Sequence, residues 1–407
     1  MIQRICAIAL LIAAGSLPAY GANLAAFTAC IGSDGHGAVC QLDPGTYSIA
    51  STLSIARSNI TIKGTIVTSP RDTVIQRAPG FQGSLLRDPS SQAGTPVLNA
   101  ITLRDLTIDG NRNLNTSAYT SYQPDVSFFS TKSLLVTNCD FINSPNTGLA
   151  LYGSGTGGVV VNNSYFGNPV IYGMWSDAPG SHASLGGPNG YLQCGGLQFV
   201  DSVVVANSQF ENSGEPPILG NMTNLQIANN VFTNNHSDSI PFGDTGGQID
   251  LVTCTNNAAV VGNTFKNGST GPNGLPADGI ELHGTSLTIV DNLVTNNTGC
   301  GITTAGIQNV FVADWNPASG LLNNLLSGIC LDHPANFRPD DSIILDSVNS
   351  IGNGNWGIWI HTADLPITHV TITNSCLKGN ANAPTSLAGL GSGAVIQNNS
   401  TSACGPI

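Results

Sequence analysis

Charged residues are scarce in this sequence. They make up 9% of its 407 residues, and only 12 are lysine or arginine. A protein that binds nucleic acid through the phosphates needs clustered cationic side chains, whereas the formal net charge here is −12. The composition therefore excludes a nucleic-acid partner, and it argues against a highly anionic polymer as substrate unless a local cationic patch receives it.

Long apolar runs are also missing. The run ICAIALLIAA follows Met-Ile-Gln-Arg and precedes SLPAYGA, and it is shorter than the roughly 20 apolar residues that a membrane helix needs. A basic start, a short apolar core and small residues near Gly21 or Ala22 are typical of an export signal. We therefore expect a signal peptide over residues 1–22, no membrane span, and a secreted, periplasmic or cell-surface location after cleavage.

No CxxC or Cys/His metal-ligand spacing occurs. The sequence has 10 cysteines, and removal of Cys6 with the signal leaves an odd number in an oxidising compartment. One cysteine must then stay unpaired or pair between chains. Local disulfides are expected between Cys30 and Cys40 and between Cys376 and Cys404.

What the chain does have is a repeated phrase rich in glycine, asparagine and β-branched residues, with 48 glycines in all. The phrase recurs as SLLVTNCDFIN, GVVVNNSYFGN, SVVVANSQFEN and SLTIVDNLVTNN, and a second phrase such as GGQIDLV, DGIELHG or SGICLDH follows it. Short strands without helices between them can bury their apolar side chains only by stacking coil on coil, as a solenoid. Turn residues that tolerate left-handed backbone and stack as an amide ladder are expected at Asn138, Asn162, Asn207, Asn229, Asn263, Asp291, Asp346 and Asn374.

These repeats resemble those of the right-handed parallel β-helix proteins of the pectin-lyase-like superfamily. The segment Gln41 to Gly64 resembles their usual start, a cap leading into the first coil, and Ile101 to Asn111 resembles a following coil. The resemblance implies an all-β fold, a right-handed parallel β-helix with an N-terminal cap. It places the cap at residues 23–58, the β-helix at 59–399 and a C-terminal tail at 400–407. Its function stays open, since the superfamily includes hydrolases, lyases, epimerases, phage spikes and adhesins.

Strand alternation assigns the outward side chains of the second phrase to two columns. The first column reads Ala150, Trp175, Gln198, Asp250, Glu281, Thr303, Cys330 and Trp359, and the second reads Tyr152, Asp177, Val200, Val252, His283, Ala305, Asp332 and His361. If the coils of Asp250 and Glu281 are adjacent, the two carboxylates lie close enough that one pKa rises, as glycosidase chemistry requires. His283, on the same face, would orient a carboxylate or contact substrate.

Aromatic rings and short polar side chains in these columns suit a sugar ring, which stacks its apolar face and hydrogen-bonds its hydroxyls. The candidate substrate-binding residues are Trp175, Trp359, Tyr152, Asp332, His361 and Asp244. The alternatives are structural: the tryptophans could pack against an inserted loop, Asp244 could be a turn residue, and the carboxylate pair could arise by chance in a polar column.

The phrase ADGIEL resembles the TDGID element of polygalacturonase-type hydrolases, which places Asp278 on a catalytic carboxylate and Glu281 on the second acidic position. The next coil, NNTGCGITTAG, lacks the paired aspartates of that family, and neither a Gly-His-Gly nor an Arg-Ile-Lys element follows. The departures put a pectic substrate in doubt but leave hydrolysis by Asp250, Glu281, Asp278 and His283 open.

The sequence thus predicts an exported glycoside hydrolase that binds a poly- or oligosaccharide along its outer face, without a cofactor or a metal. A polysaccharide lyase with Ca²⁺ is the runner-up, although neither column as drawn contains the Lys or Arg base that such enzymes use. A non-catalytic glycan-binding or structural β-helix is the third reading. The oligomeric state is left open.

Overall fold

The computed structural model describes residues 22–32, 38–89, 98–116, 121–153, 155–177, 199–236, 247–252, 254–271, 274–332, 340–361 and 366–402. These residues form two parallel sheets, one of 23 strands and one of 12. The prediction of an all-β parallel β-helix is confirmed.

Each coil contributes one strand to each of three ladders. The first ladder contains Val39–Gln41 (β1), Ile60–Lys63 (β4), Leu98–Asp109 (β7), Thr131–Ile142 (β9), Gly157–Asn162 (β11), Val200–Ala206 (β14), Met222–Ala228 (β17), Asn256–Val261 (β20), Thr285–Val290 (β23), Gln308–Ala313 (β26), Asp341–Asp346 (β29), Thr368–Thr373 (β32) and Val395–Gln397 (β35).

The second ladder shares β7 and β9 with the first, and the two together make up the larger sheet. Its other strands are Gly45–Ile49 (β2), Thr73–Arg77 (β5), Tyr165–Gly167 (β12), Gln209–Glu211 (β15), Val231–Thr233 (β18), Thr264–Lys266 (β21), Leu293–Thr295 (β24), Gly320–Leu322 (β27), Asn349–Ile351 (β30) and Cys376–Lys378 (β33).

The third ladder is the smaller sheet, and it carries the candidate site. It contains Leu53–Ser54 (β3), Leu86–Arg87 (β6), Val126–Phe128 (β8), Leu149–Tyr152 (β10), Met174–Asp177 (β13), Ile218–Gly220 (β16), Asp250–Leu251 (β19), Ile280–Leu282 (β22), Ile302–Ala305 (β25), Ile329–Asp332 (β28), Trp356–Ile360 (β31) and Ala383–Ser386 (β34).

In most coils a single left-handed residue turns the chain from the first ladder into the second. Asp291, with φ of 55°, connects β23 to β24 in this way. Asparagine and aspartate adopt this conformation more readily than other residues with a Cβ, and glycine adopts it freely. Of the predicted anchors, Asn138, Asn207, Asn229, Asp291 and Asn374 have positive φ.

At the other three predicted anchors the prediction was wrong by one residue, because a repeat read from sequence does not fix which of two neighbouring polar residues takes the bend. The left-handed residue is Asn163 instead of Asn162, Gly262 instead of Asn263, and Ser347 instead of Asp346.

Side chains that face the inside of the coils stack on their equivalents in the next coil. Phe141, Phe166, Phe210, Phe232 and Phe265 form a continuous aromatic stack with ring centroids 4.6 to 4.9 Å apart. Parallel strands in a sheet are about 4.8 Å apart, so one ring per coil fits the coil spacing.

Buried amides stack in the same way at the turns. Nδ2 of Asn230 donates to Oδ1 of Asn263 at 3.0 Å, and Nδ2 of Asn263 donates to Oδ1 of Asn292 at 3.0 Å. A second ladder runs through Asn297, Asn324, Asn353 and Asn380. Each amide satisfies a backbone group that a turn leaves unpaired. Buried amide ladders are therefore present, but of the eight predicted residues they contain only Asn263.

The N-terminal end is closed by the helix α1, Leu24–Ile31, whose Phe27 and Ile31 are buried. The segment 23–58 also contains β1, β2 and β3, which pair with the next coil. Two short 3₁₀ turns, Pro70–Asp72 (η1) and Arg112–Leu114 (η2), lie outside the sheets. No helix among the described residues is long and apolar enough to cross a membrane.

The predicted disulfide between Cys30 and Cys40 is present, and a second one joins Cys300 to Cys330 in adjacent coils. Cys254 and Cys376 are also disulfide-bonded, but Cys404, the predicted partner of Cys376, lies outside the described residues. Cys139 is a buried free thiol whose pKa burial raises to about 12, so it is unreactive.

Candidate active site

Asp250 and Glu281 are direct neighbours on two adjacent coils. Their Cα atoms are register partners between β19 and β22, and Glu281 is in turn the partner of Thr303 in β25. Both aliphatic neighbours on the strands, Leu251 and Leu282, are buried in the core. Strand alternation therefore directs both carboxylates to the outer side of the same ladder.

His283 joins the two carboxylates. Its Nε2 lies 2.9 Å from Oε1 of Glu281 and 3.8 Å from Oδ1 of Asp250. Its Nδ1 lies 2.9 Å from the carbonyl oxygen of Ala305. Both ring nitrogens thus face acceptors, and only the protonated imidazolium can donate to both.

The electrostatics agree with this geometry. Burial by itself would lower the pKa of His283, but the hydrogen bond and charge of Glu281, with the charge of Asp250 behind them, raise it to about 9. His283 is therefore cationic at neutral pH, and it faces the carboxyl groups of Glu281 and Asp250.

The three side chains are more enclosed than strand alternation suggested. Asp250 is 0% exposed, and Glu281 and His283 are each 4% exposed. Alternation fixes the side of the sheet that a side chain takes, but it does not show whether another segment covers that side. Asp250 therefore faces the outer side of the ladder next to Glu281 but has no exposed surface.

Asp278 lies where this cluster meets the solvent. It precedes β22, forms an isolated bridge with Gly247, and is partly exposed. Its Oδ1 accepts a short hydrogen bond from the backbone N–H of Cys300. Burial first, and the charge of Glu281 second, raise the pKa of Asp278 to about 7. Asp278 therefore exchanges a proton near neutral pH beside the carboxyl group of Glu281, which hydrogen-bonds His283.

Asp340 is a further carboxylate near the cluster that sequence reasoning missed. It is fully buried, and its Oδ1 accepts from the backbone N–H of Ile307 at 2.7 Å. Burial raises its pKa to about 7, while the charge of His283 lowers it. Its sequence signal was weak, because it lies at the end of an insertion just before β29, outside both repeated phrases.

Ligand atoms of Asp250, Glu281 and His283 lie within 4.8 Å of one another, a spacing that can hold a metal ion. Ligation by His283 requires a neutral ring with a free lone pair, whereas these carboxylates favour the protonated ring. A metal ion bound here would displace the proton from His283, so a bound metal and the protonated ring are alternative states of the cluster.

Two aromatic clusters lie on either side of the carboxylates. Tyr152 stacks on Phe129, with ring centroids 4.3 Å apart, and meets Trp175 edge to face at 5.1 Å. These predicted binding residues lie toward the N-terminal end of the ladder.

On the C-terminal side, Trp359 lies against Trp356 at 5.5 Å and His361 at 4.7 Å, and Nδ1 of His361 lies 3.2 Å from Oδ1 of Asp332. Trp356 is an addition that the two-column pattern missed, because it begins its phrase, WGIWIHT, three positions before the first column. The remaining predicted binding residue, Asp244, lies outside the described residues.

The predicted first column needs one correction. Leu219 pairs with Trp175 on one side and with Asp250 on the other, so it occupies the position that the sequence assigned to Gln198, which lies outside the described residues. Val200 is likewise not in the second column, since it belongs to β14 in the first ladder and is buried. Either GGLQFVD or PPILGN could supply the third-ladder strand of this coil. The strand register in the structure shows that PPILGN supplies it.

The structure also extends the first column toward the N-terminus through Ser127, Arg87 and Ser54. The column therefore does contain one cation. Arg87 lies five ladder steps from Asp250, about 24 Å at the usual strand spacing.

Comparisons with known proteins agree on the fold. A family model described as "Right handed beta helix region" matches residues 191–314. The A-module of the mannuronan C-5 epimerase AlgE6 from Azotobacter vinelandii is similar at 13% identity with a TM-score of 0.60, covering 90% of this chain and 91% of that one.

PfbA, a surface adhesin of Streptococcus pneumoniae, is similar at 14% identity with a TM-score of 0.51, covering 89% of this chain and 85% of that one. No curated protein sequence matches the chain significantly. The chain is a right-handed parallel β-helix, as the resemblance implied, and similarity at these identities concerns the fold alone.

Proposed function

We propose that this protein is an exported glycoside hydrolase that acts on a linear poly- or oligosaccharide. The observation that carries the proposal is the position of Asp278, a carboxyl group with a raised pKa, beside Glu281, a second carboxyl group that hydrogen-bonds His283. Asp278 has a pKa of about 7 and is partly exposed, and the cationic His283 hydrogen-bonds Glu281. Glycosidases need such a pair, one protonated and one ionised.

In the proposed reaction, Asp278 donates its proton to the glycosidic oxygen as the bond to the anomeric carbon breaks. Glu281 assists attack on that carbon, either as the base that takes a proton from water or as the nucleophile. The sum of the steps consumes one water and leaves a new reducing end. His283 acts as a positioning residue, because its Nε2 hydrogen-bonds Oε1 of Glu281. Asp250 lies beside His283 with no exposed surface, so it also acts as a positioning residue.

The aromatic clusters support an extended substrate. Trp175 and Trp359 each lie three ladder steps from Glu281, about 14 Å at the usual strand spacing, on opposite sides. A chain that touches both rings spans about 29 Å, several sugar units. Sugar rings at the outer positions would stack on the indoles.

A lyase is less well supported. Abstraction of a proton beside a uronate carboxylate needs a cation to neutralise that carboxylate. The one cation in the first column, Arg87, lies about 24 Å from Asp250. The mannuronan epimerase shows that a β-helix of this size can act on a polysaccharide, but uronate chemistry has little support from the described residues around Asp278.

The proposed export rests on the predicted signal over residues 1–22 and on the disulfides. Cys30–Cys40 and Cys300–Cys330 both require an oxidising environment to persist. These two features together support a secreted, periplasmic or cell-surface location.

Glu281→Gln and Asp278→Asn test the proposal, with Asp201→Asn as the matched control. Asp201 is an exposed carboxylate at the start of the first-ladder strand β14, away from the third ladder. We expect both site variants to lose at least a hundredfold in kcat on the cleaved glycan while the control keeps wild-type turnover. Wild-type turnover in both site variants would refute the assigned roles.

A further inference from the structure

We propose that the second ladder carries a separate binding site for a neutral sugar unit, centred on the ring of Tyr165. The site is an open cavity of about 430 Å³ lined by Arg71, Asp140, Tyr165, Asn207, Gln209 and Glu211, among others. This volume falls in the range of about 300–1,000 Å³ typical of small-molecule sites. Because the second and third ladders form different faces of each coil, this cavity is distinct from the candidate active site.

The ring of Tyr165 lies flat along the sheet. A Cβ placed on Gly167 would come within 2.4 to 2.6 Å of three atoms of the Tyr165 side chain, so only glycine at 167 lets the ring lie across this position. The hydroxyl of Tyr165 reaches the neighbouring coil and donates to Oε2 of Glu211 at 3.1 Å. A flat, tethered aromatic ring beside polar groups is the element that a sugar ring stacks on.

Arg71 forms the rim of the cavity from a rigid turn. It lies in η1, where the carboxylate of Asp72 accepts hydrogen bonds from the backbone of Val67 at 2.7 Å and Ser69 at 2.8 Å. Nε of Arg71 donates to Oδ2 of Asp140 at 2.8 Å, and the guanidinium carbon lies 5.9 Å from the centre of the Tyr165 ring. The donors on the rim are therefore already oriented before a ligand arrives.

The charges select the class of ligand. One guanidinium is set against two carboxylates, those of Asp140 and Glu211, and the side chains of Asn207 and Gln209 add neutral donors and acceptors. The carboxylates repel a uronate or a phosphate. A sugar hydroxyl, by contrast, can donate to a carboxylate and accept from the guanidinium. The cavity therefore fits an uncharged hexose unit.

The experiment uses the mature chain carrying Asp278→Asn with Trp175→Ala and Trp359→Ala, so that glycans are not consumed and binding at the third ladder is weakened. Calorimetry with neutral hexasaccharides of glucose, mannose and galactose, and with hexagalacturonate, measures affinity. Tyr165→Ala and Gln209→Ala are the test variants. Leu293→Ala is the matched control, since Leu293 occupies the same register column outside the cavity.

We expect at least one neutral hexasaccharide to bind, its affinity to fall at least tenfold in Tyr165→Ala and severalfold in Gln209→Ala, and the Leu293→Ala variant to match the parent. The proposal would be overturned if no neutral hexasaccharide binds, or if hexagalacturonate binds more tightly than the neutral hexasaccharides. It would also be overturned if both test variants bind with the same affinity as the parent. Hydrolysis by the wild-type protein is scored separately, so failure of this site and failure of the proposed function are distinguishable.

Discussion

Nε2 of His283 lies 2.9 Å from Oε1 of Glu281, two residues away along the chain, and the same nitrogen lies 3.8 Å from Oδ1 of Asp250 in the preceding coil. One imidazolium thus serves two carboxylates on adjacent strands. Buried charges persist when they are paired in this way. The pairing explains how a chain with few charged residues keeps three ionisable side chains buried together next to Asp278.

The rate of hydrolysis should fall as the pH rises through about 7. Asp278 must be protonated to donate, and it loses its proton near its raised pKa of about 7. Above that pH, kcat should decrease about tenfold per pH unit. Measurement of kcat between pH 5 and pH 9 checks this, and a rate that stays level through neutral pH would rule out Asp278 as the acid.

The stability of the protein should also depend on His283. Because its folded pKa of about 9 is higher than its ordinary value of 6.5, its contribution is complete below about pH 6.5 and is lost as the pH rises through 9. This shift of the pKa corresponds to about 3 kcal/mol in the free energy of unfolding. Thermal unfolding of His283→Gln should show a shallower loss of Tm between pH 6.5 and 9 than the wild type.

His369→Gln is the control for that measurement. His369 also lies beside a carboxylate, with Nδ1 at 2.6 Å from Oδ1 of Asp341, but its side chain is 63% exposed. Its loss should leave the pH profile of stability unchanged, because exposed pairs contribute little. Equal pH slopes in the wild type and His283→Gln would contradict the assigned protonation of His283.

The tryptophans should affect substrate binding more than chemistry. Trp175→Ala and Trp359→Ala should each raise KM about tenfold on a long glycan and leave kcat close to that of the wild type, as expected for binding energy shared by ground and transition states. A short substrate that does not reach the rings should show no change. Trp315→Ala is the control, since Trp315 is exposed beyond the end of the first-ladder strand β26. A loss of kcat with unchanged KM would contradict the binding role.

The buried amide ladder should contribute measurably to stability. Asn263 accepts from the backbone N–H of Asn230 at 2.8 Å and donates to the carbonyl of Ile227 at 2.9 Å. Asn263→Ala leaves these groups without their partner, at an expected cost of about 2–4 kcal/mol. Urea unfolding should show it, with the exposed Asn382→Ala as control. Equal unfolding midpoints for the two variants would show that the buried amide of Asn263 does not contribute to stability.

The sequence predicted the fold because a repeat constrains every coil at once. The same aliphatic positions recur in β19, β22, β25 and β28, so the side of each strand could be assigned from alternation alone. The alignment failed where two phrases competed, as with Gln198 and Leu219, and it missed the left-handed residue by one position at three turns.

The candidate site was less accessible to sequence reasoning. The pairing of Asp250 with Glu281 could be posed as a hypothesis, but burial, the position of Asp340 and the Cys300–Cys330 disulfide depend on segments that break the period. Similarly, the flat ring of Tyr165 depends on Gly167, two positions away, and a glycine in a glycine-rich chain carries no distinctive signal.

The most direct test of the proposed function is a screen of the purified protein against a panel of polysaccharides, read both by new reducing ends and by the ultraviolet absorbance of unsaturated products. The account predicts new reducing ends without unsaturated products on at least one glycan, and their loss in a double variant with Asp278→Asn and Glu281→Gln. Unsaturated products, or no turnover on any glycan, would contradict it.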